Sequence, residues 1–137
     1  MKILVAVDPA DTIYRPVAKA AAIANKEGAE LTLLAVAEVM EDIESLYGGE
    51  VTGLLEKRAR EALTAAMAVA KAAGVKAKQK LEIGVSPEDF VVEEAERGGY
   101  DLVVTGTRGK KGVSRLLLGS VAGKIVTLAP CSVLVVR

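Results

Sequence analysis

Five short apolar runs punctuate the chain, and stretches of helical periodicity separate them. The runs are Lys2 to Val7 (KILVAV), Glu30 to Ala37 (ELTLLAVA), Val75 to Ile83, Asp101 to Thr105 (DLVVT) and Ser132 to Val136 (SVLVV). A run that is apolar on successive residues has no solvent face, so it predicts a strand buried on both sides. Val75 to Ile83 alternates instead, with Val75, Ala77, Leu81 and Ile83 apolar, and predicts a third strand. A helix is expected from about Tyr14 to Glu27, stopped by Gly28, with Pro16 tolerable only in its first turn. A long Ala-rich helix covers Leu54 to Ala73 and ends at Gly74. Ser86-Pro87-Glu88-Asp89 has the form of a helix start, with Ser as N-cap, and that helix runs to Gly98-Gly99. A last helix, Val121 to Leu128, must stop before Pro130. The acidic stretch Glu38 to Gly53, with its Gly48-Gly49 pair, reads as a loop with room for a helical turn. The order βαβαβαβαβ predicts an α/β fold: a parallel sheet with helices on both faces. With 137 residues, a single domain over 1–137 is expected.

Composition removes several kinds of chemistry. The chain has no His, which excludes the commonest general base and every His metal site. One cysteine, Cys131, excludes an internal disulfide and a Cys-rich metal centre, and its place beside the last strand predicts a buried structural thiol. Aromatic residues are 3% with no Trp, so stacking platforms for single-stranded nucleic acid are lacking. Lys+Arg and Asp+Glu are both 18, and this balance favours neither nucleic acid nor an anionic membrane surface. The apolar runs are too short to span a bilayer, and no signal-peptide pattern precedes the first strand. A cytoplasmic protein is expected.

The residues with most chemical content follow the fourth strand. Gly106-Thr107-Arg108-Gly109 is followed by Gly119-Ser120, a G-x2-G-x9-G-S spacing between a strand and a helix. Such a loop can close backbone N–H groups around phosphate oxygens, helped by the helix N-terminus. Arg108, Lys110, Lys111 and Arg115 add four cations. A flexible loop with solvated charges and a helix cap fits the same residues. The loop matches neither the G-x-x-x-x-G-K-[ST] phosphate loop nor the G-x-G-x-x-G dinucleotide fingerprint. Asp8, at the end of the first strand, can accept from ribose hydroxyls or hold Mg²⁺ through water; an Asx turn with Pro9 is the simpler local role. Val36 is core by its periodicity. Gly84 has a place near the mouth of any such site, and Glu41, Asp42 and Glu44 read as a solvated acidic loop.

Taken together, KILVAVD, LTLLAVAEV, DLVVTGTRGKKGVSRLLLGSVAGKIV and APCSVLVVR resemble the universal stress protein family, in the branch with the ATP-binding pattern G-x2-G-x9-G-[ST]. The resemblance covers essentially the whole chain. It implies a doubly wound five-stranded parallel sheet of order 3-2-1-4-5, the adenine nucleotide alpha hydrolase-like fold, which is usually dimeric. It implies ATP (or AMP or ADP) with Mg²⁺ as ligand. The triphosphate falls on Gly106, Gly109, Gly119 and Ser120, with Arg108 and Val121 beside it. Asp8 falls near the ribose and the metal-bound phosphates, Val36 pairs its backbone with the adenine edge, and Thr105 lines the pocket.

Two functions follow as expectations. The first is a nucleotide-dependent regulator in stress response, read by an unknown protein partner. The second is a slow ATPase or adenine-nucleotide hydrolase of the same fold group. The missing His and the lack of any evident water-orienting residue favour the binder. A phosphoacceptor receiver domain shares the strand order but needs an acidic cluster after strand one and an Asp after strand three, where this chain has Glu82-Ile83-Gly84. The apolar last strand predicts a sheet edge that pairs with a second copy, giving a homodimer through strand five.

Overall fold

The computed structural model describes residues 1–107 and 118–137, without the side chains of Glu41, Ile43 and Glu44. In chain order the elements are β1 (Lys2–Val7), α1 (Arg15–Glu27), β2 (Glu30–Glu38), α2 (Glu41–Tyr47), α3 (Gly49–Ala72), β3 (Lys78–Gly84), α4 (Pro87–Arg97), β4 (Leu102–Gly106), α5 (Ser120–Leu128) and β5 (Ser132–Val136). The five strands form one sheet in the order β3-β2-β1-β4-β5, and every neighbouring pair is parallel. That is the doubly wound α/β arrangement expected from the sequence.

Strand alternation sorts the apolar runs between two layers. On one face Ile3, Val5 and Val7 of β1 join Leu31, Leu33, Ala35 and Ala37 of β2 and Val104 of β4. The residues of α1 and α3 that cover them recur at helical spacing: Val17, Ala20, Ala21 and Ala24, then Ala59, Ala62, Leu63, Ala66 and Ala70. Alanine on these faces lets the helix backbones lie close to the sheet. On the other face Leu4, Leu34 and Val103 pack with Val91 and Ala95 of α4 and Ile125 of α5. Each fully buried Leu, Ile or Val contributes about 1.5–3 kcal/mol relative to exposure, so both faces hold the sheet.

The main departure from expectation lies between β2 and β3. The stretch after Glu38 is not a loop. It holds α2, and α3 begins at Gly49 rather than Leu54. The glycine pair is the joint between the helices: Gly48 has φ 66°, a left-handed conformation that glycine adopts without strain. The start of β3 also shifts from Val75 to Lys78. Val75 donates its N–H to Ala70 O at 3.0 Å and Gly74 donates to Lys71 O at 2.9 Å, so these residues close the end of α3 instead of pairing in the sheet. Ser86 stands at the N-cap of α4, but its hydroxyl makes no cap bond; Asp89 N–H donates to Ser86 O at 3.1 Å instead. Gly84 does not border the central cleft described below. It lies beneath the Phe90 ring, where a Cβ would collide.

At the amino-terminal end of the sheet the polar groups are matched. Lys2 N–H donates to Asp101 Oδ2 and Asp101 N–H to Lys2 O, both at 2.8 Å. Glu94, only 5% exposed, accepts from Lys80 Nζ at 2.7 Å, Arg97 Nη2 at 3.2 Å and the Tyr100 hydroxyl at 3.3 Å. Burial pushes the Glu94 carboxyl up, but these donors outweigh it and hold the group below its usual range.

Candidate nucleotide cleft

The cleft follows from where strand pairing stops. β1 and β4 pair through Ile3↔Leu102, Leu4↔Val103 and Val5↔Val104. Both strands then run on, to Val7 and Gly106, without further pairing to each other. They part at the point where the strand order reverses, because the chain leaves β1 toward one side and β4 toward the other. A cavity of about 590 Å³ opens there. It reaches from Val136 and the start of α5, across the ends of β4 and β1, to Val36 and Glu38 on β2 and Leu55 on α3.

Each wall has a distinct origin. On the β1 side the chain turns twice on aspartate side chains. Ala10 N–H donates to Asp8 Oδ1 at 2.9 Å, Asp11 N–H to Asp8 O at 3.0 Å, and Ile13 N–H to Asp11 Oδ1 at 2.9 Å. The Asx turn expected at Asp8 is therefore present, and it uses one carboxylate oxygen. Tyr14 follows at φ 58°, ψ 40°, and α1 starts from it with Pro16 in its first turn. Left-handed backbone costs a residue with a Cβ about 1–2 kcal/mol. Burial, then the charges of Asp11 and Asp8, push the Tyr14 phenol above its usual range, so it stays a donor.

On the β4 side Thr105 is buried, and Gly106 ends the strand. A Cβ on Gly106 would sit 3.5 Å from Pro16 Cγ, an ordinary contact, so the fold itself does not require glycine there. Gly119 N–H donates to Thr107 O at 2.9 Å, tying the start of α5 to the end of β4. That donor is already used. The first turn of α5 leaves the N–H groups of Ser120, Val121 and Ala122 outside the helical ladder, the first rung being Gly123 N–H to Gly119 O at 2.9 Å. Among the described residues no side chain caps this terminus. Its dipole and unshared donors favour an anion.

The β2 side offers backbone. β2 pairs with β1 only as far as Val7↔Ala35 but with β3 as far as Glu38↔Gly84. From Val36 onward the β1-facing edge of β2 has no strand partner. Val36 itself is buried and lines the cavity.

Of the residues singled out from the sequence, Asp8, Val36, Thr105, Gly106 and Val121 share the wall of this one cavity. Gly119 and Ser120 stand at the start of α5 next to it, Gly119 buried and Ser120 exposed. Arg108 and Gly109, with Lys110, Lys111 and Arg115, lie outside the described residues. The structure adds Tyr14, Arg15, Leu55 and Arg58 to the wall. Tyr14-Arg15 carried a readable signal, since a bulky residue at an N-cap and a cation at the first helical position both oppose helix-start preferences. Arg58 carried none: it is one more exposed cation on a long helix.

Among the described residues no group of three or more Cys, Asp or Glu forms a metal cage. No helix among them is long and apolar enough to cross a membrane. Cys131 is half-buried, and burial followed by the Asp101 charge pushes its thiol up, which is the state of a structural cysteine rather than a nucleophile.

Comparison with known proteins agrees with this architecture. The profile of the universal stress protein family matches residues 1–137. A universal stress protein of Methanocaldococcus jannaschii is 35% identical over 139 residues, covering 99% of this chain and 81% of that protein. Among solved structures, the universal stress protein UspA from Lactobacillus plantarum is 27% identical with a TM-score of 0.80, covering 100% of this chain and 97% of that one. A universal stress protein in complex with cAMP is 27% identical with a TM-score of 0.73, covering 100% and 96%. With its profile, relatives and five-stranded 3-2-1-4-5 sheet in accord, this chain belongs to the universal stress protein family.

Proposed function

We propose that the chain binds an adenine nucleotide, ATP with Mg²⁺, in the cavity between the ends of β1 and β4, and works as a nucleotide-dependent regulator in stress response. The observation that carries this reading is the early end of β1–β4 pairing at Val5↔Val104, which opens a cavity of about 590 Å³ at the switch point. Its three sides differ in the way a nucleotide does. Uncapped N–H groups of α5 suit phosphates, the Asp8 carboxylate suits sugar hydroxyls or a hydrated cation, and the unpaired edge of β2 at Val36 suits a base edge. The relative solved with cAMP supports an adenine ligand.

In this reading Gly106, Gly109, Gly119 and Ser120 surround the triphosphate, with Arg108 and Val121 beside it. Gly119 serves by joining Thr107 to α5 rather than by donating to the ligand. Thr105 forms the floor. Asp8 keeps one carboxylate oxygen for a hydrated Mg²⁺; the remaining ligands come from water and phosphate oxygens, as magnesium prefers.

The sheet edges support a homodimer through β5. The β3 edge carries Lys78, Gln79 and Lys80, all exposed, which guard an edge against pairing. The β5 edge is Val133 to Val136, half-buried and uncharged, and Val126 and Leu128 of α5 are exposed beside it. A second copy covers that edge. Val135→Lys should turn the dimer into a monomer in light scattering; a dimer that persists counts against the interface.

The nucleotide reading is tested by releasing and identifying nucleotide from the purified protein and by adding Mg·ATP to it. Released ATP and a raised Tm support a binder. ADP or AMP recovered after incubation with ATP supports the hydrolase reading instead. No released nucleotide and no Tm shift would refute both.

A further inference from the structure

Tyr14 is the one residue among those described that adopts a positive φ without being glycine. It stands at the N-cap of α1, where Ser, Thr, Asp or Asn is usual, and it makes no cap bond. Its ring packs against the larger core cluster. A phenylalanine would supply that packing, so the hydroxyl is left to explain. Among the described residues Tyr14 is also the single aromatic side chain in the cavity wall. Asp8 and Asp11 flank it, each with Oδ1 engaged by a turn amide. Burial and then the two carboxylates keep the phenol protonated. The β1 wall therefore sets carboxylate acceptors beside an O–H donor. A ribose hydroxyl both donates and accepts, and it can use the two together. A 2′-deoxyribose has lost one of its two free hydroxyls.

We propose that Tyr14 is a specificity-determining residue whose phenol donates to the ribose 2′-hydroxyl, so that the cavity selects ribonucleotides over 2′-deoxyribonucleotides. This rests on the nucleotide reading above. The test is calorimetric titration of the full chain, wild type and Tyr14→Phe, with Mg·ATP and with Mg·2′-deoxyATP. The wild type should bind ATP about 10-fold more tightly than deoxyATP, and Tyr14→Phe should lose about 5–10-fold for ATP, within the range of one hydrogen bond, with less than a twofold change for deoxyATP. Its Tm should match the wild type. Tyr14→Gly, which accepts the left-handed backbone freely, is a second variant and should show the same loss of discrimination. Equal wild-type affinity for the two nucleotides, or an equal loss for both in Tyr14→Phe, overturns the role of Tyr14 while leaving the cavity a nucleotide site. If the wild type binds neither nucleotide, the nucleotide reading itself falls.

Discussion

Glu94 and Asp8 are both carboxylates, but the chain treats them in opposite ways. Glu94, on α4 and 5% exposed, reaches Lys80 of β3, with donors from Lys80, Arg97 and Tyr100 filling its oxygens. Asp8 is half-buried in the cavity wall and gives one oxygen to one amide. Arg15 and Arg58 line the same cavity without a partner among the described residues, while Lys80 and Arg97 at the other end are both engaged. Satisfied charge marks the region that holds the fold, and unmatched charge marks the region proposed to meet a ligand. A buried carboxylate without donors would cost several kcal/mol, so the first arrangement is required for stability. The second is tolerated because an open cavity lets water solvate its charged groups.

The contrast can be broken most sharply at Gly106. Gly106→Val has room for its Cβ beside Pro16 and the Val136 carbonyl, so the protein should fold, but Gly106 lines the cavity and a branched side chain there should crowd a ligand. Nucleotide affinity should fall about 100-fold, the equivalent of roughly 2–3 kcal/mol of steric conflict. Unchanged affinity in a folded variant would place the phosphate elsewhere.

At the opposite end, Glu94→Ala should lower stability by about 2 kcal/mol through lost charge-assisted hydrogen bonds, which is roughly 5 °C in Tm. Nucleotide affinity should stay within twofold. A loss of binding without a loss of stability would reverse the roles assigned to the two ends.

Acidity tests the Glu94 end of the contrast. The folded state holds the Glu94 carboxyl below its unfolded range, so its contribution to stability is complete above the ordinary Glu pKa and fades as pH falls through the lowered value. Wild type should therefore lose more stability than Glu94→Gln between neutral and acid pH in denaturant melts. Parallel curves would remove Glu94 from the acid response.

A smaller effect is expected at Asp8. Asp8→Asn keeps an oxygen for the Ala10 amide, so Tm should move by less than about 2 °C, while Mg²⁺-dependent affinity for ATP falls roughly 10-fold. Equal affinity with and without Mg²⁺ in both proteins would show that Asp8 serves the turn alone.

Much of the fold was legible because periodicity and breakers agree. β5 occupies the expected residues, and α1 begins and ends within a residue of expectation. The reading failed where a glycine served a different purpose from the usual one. Gly48-Gly49 joins two helices instead of marking a loop, and Gly74 draws Val75 into the end of α3 instead of releasing it into β3. The wall of the cavity was legible along the strand ends, where chain order alone brings Asp8, Thr105 and Gly106 together. Arg58 was not, because the approach of α3 to the cavity is a matter of packing between distant elements. Gly119 stands at the start of α5 as its place in the chain suggested, yet its N–H bond to Thr107 is a tertiary detail that spacing cannot convey.

The most direct test of the contrast is to map backbone amide shifts by NMR as Mg·ATP is added to the full chain. The shifts should concentrate at Asp8 to Arg15, Val36 to Glu38, Thr105 to Thr107 and Ser120 to Ala122, with Glu94, Arg97 and Tyr100 unmoved. Shifts centred on Glu94 and Tyr100, or none at saturating Mg·ATP, would contradict the assignment of the cavity as the nucleotide site.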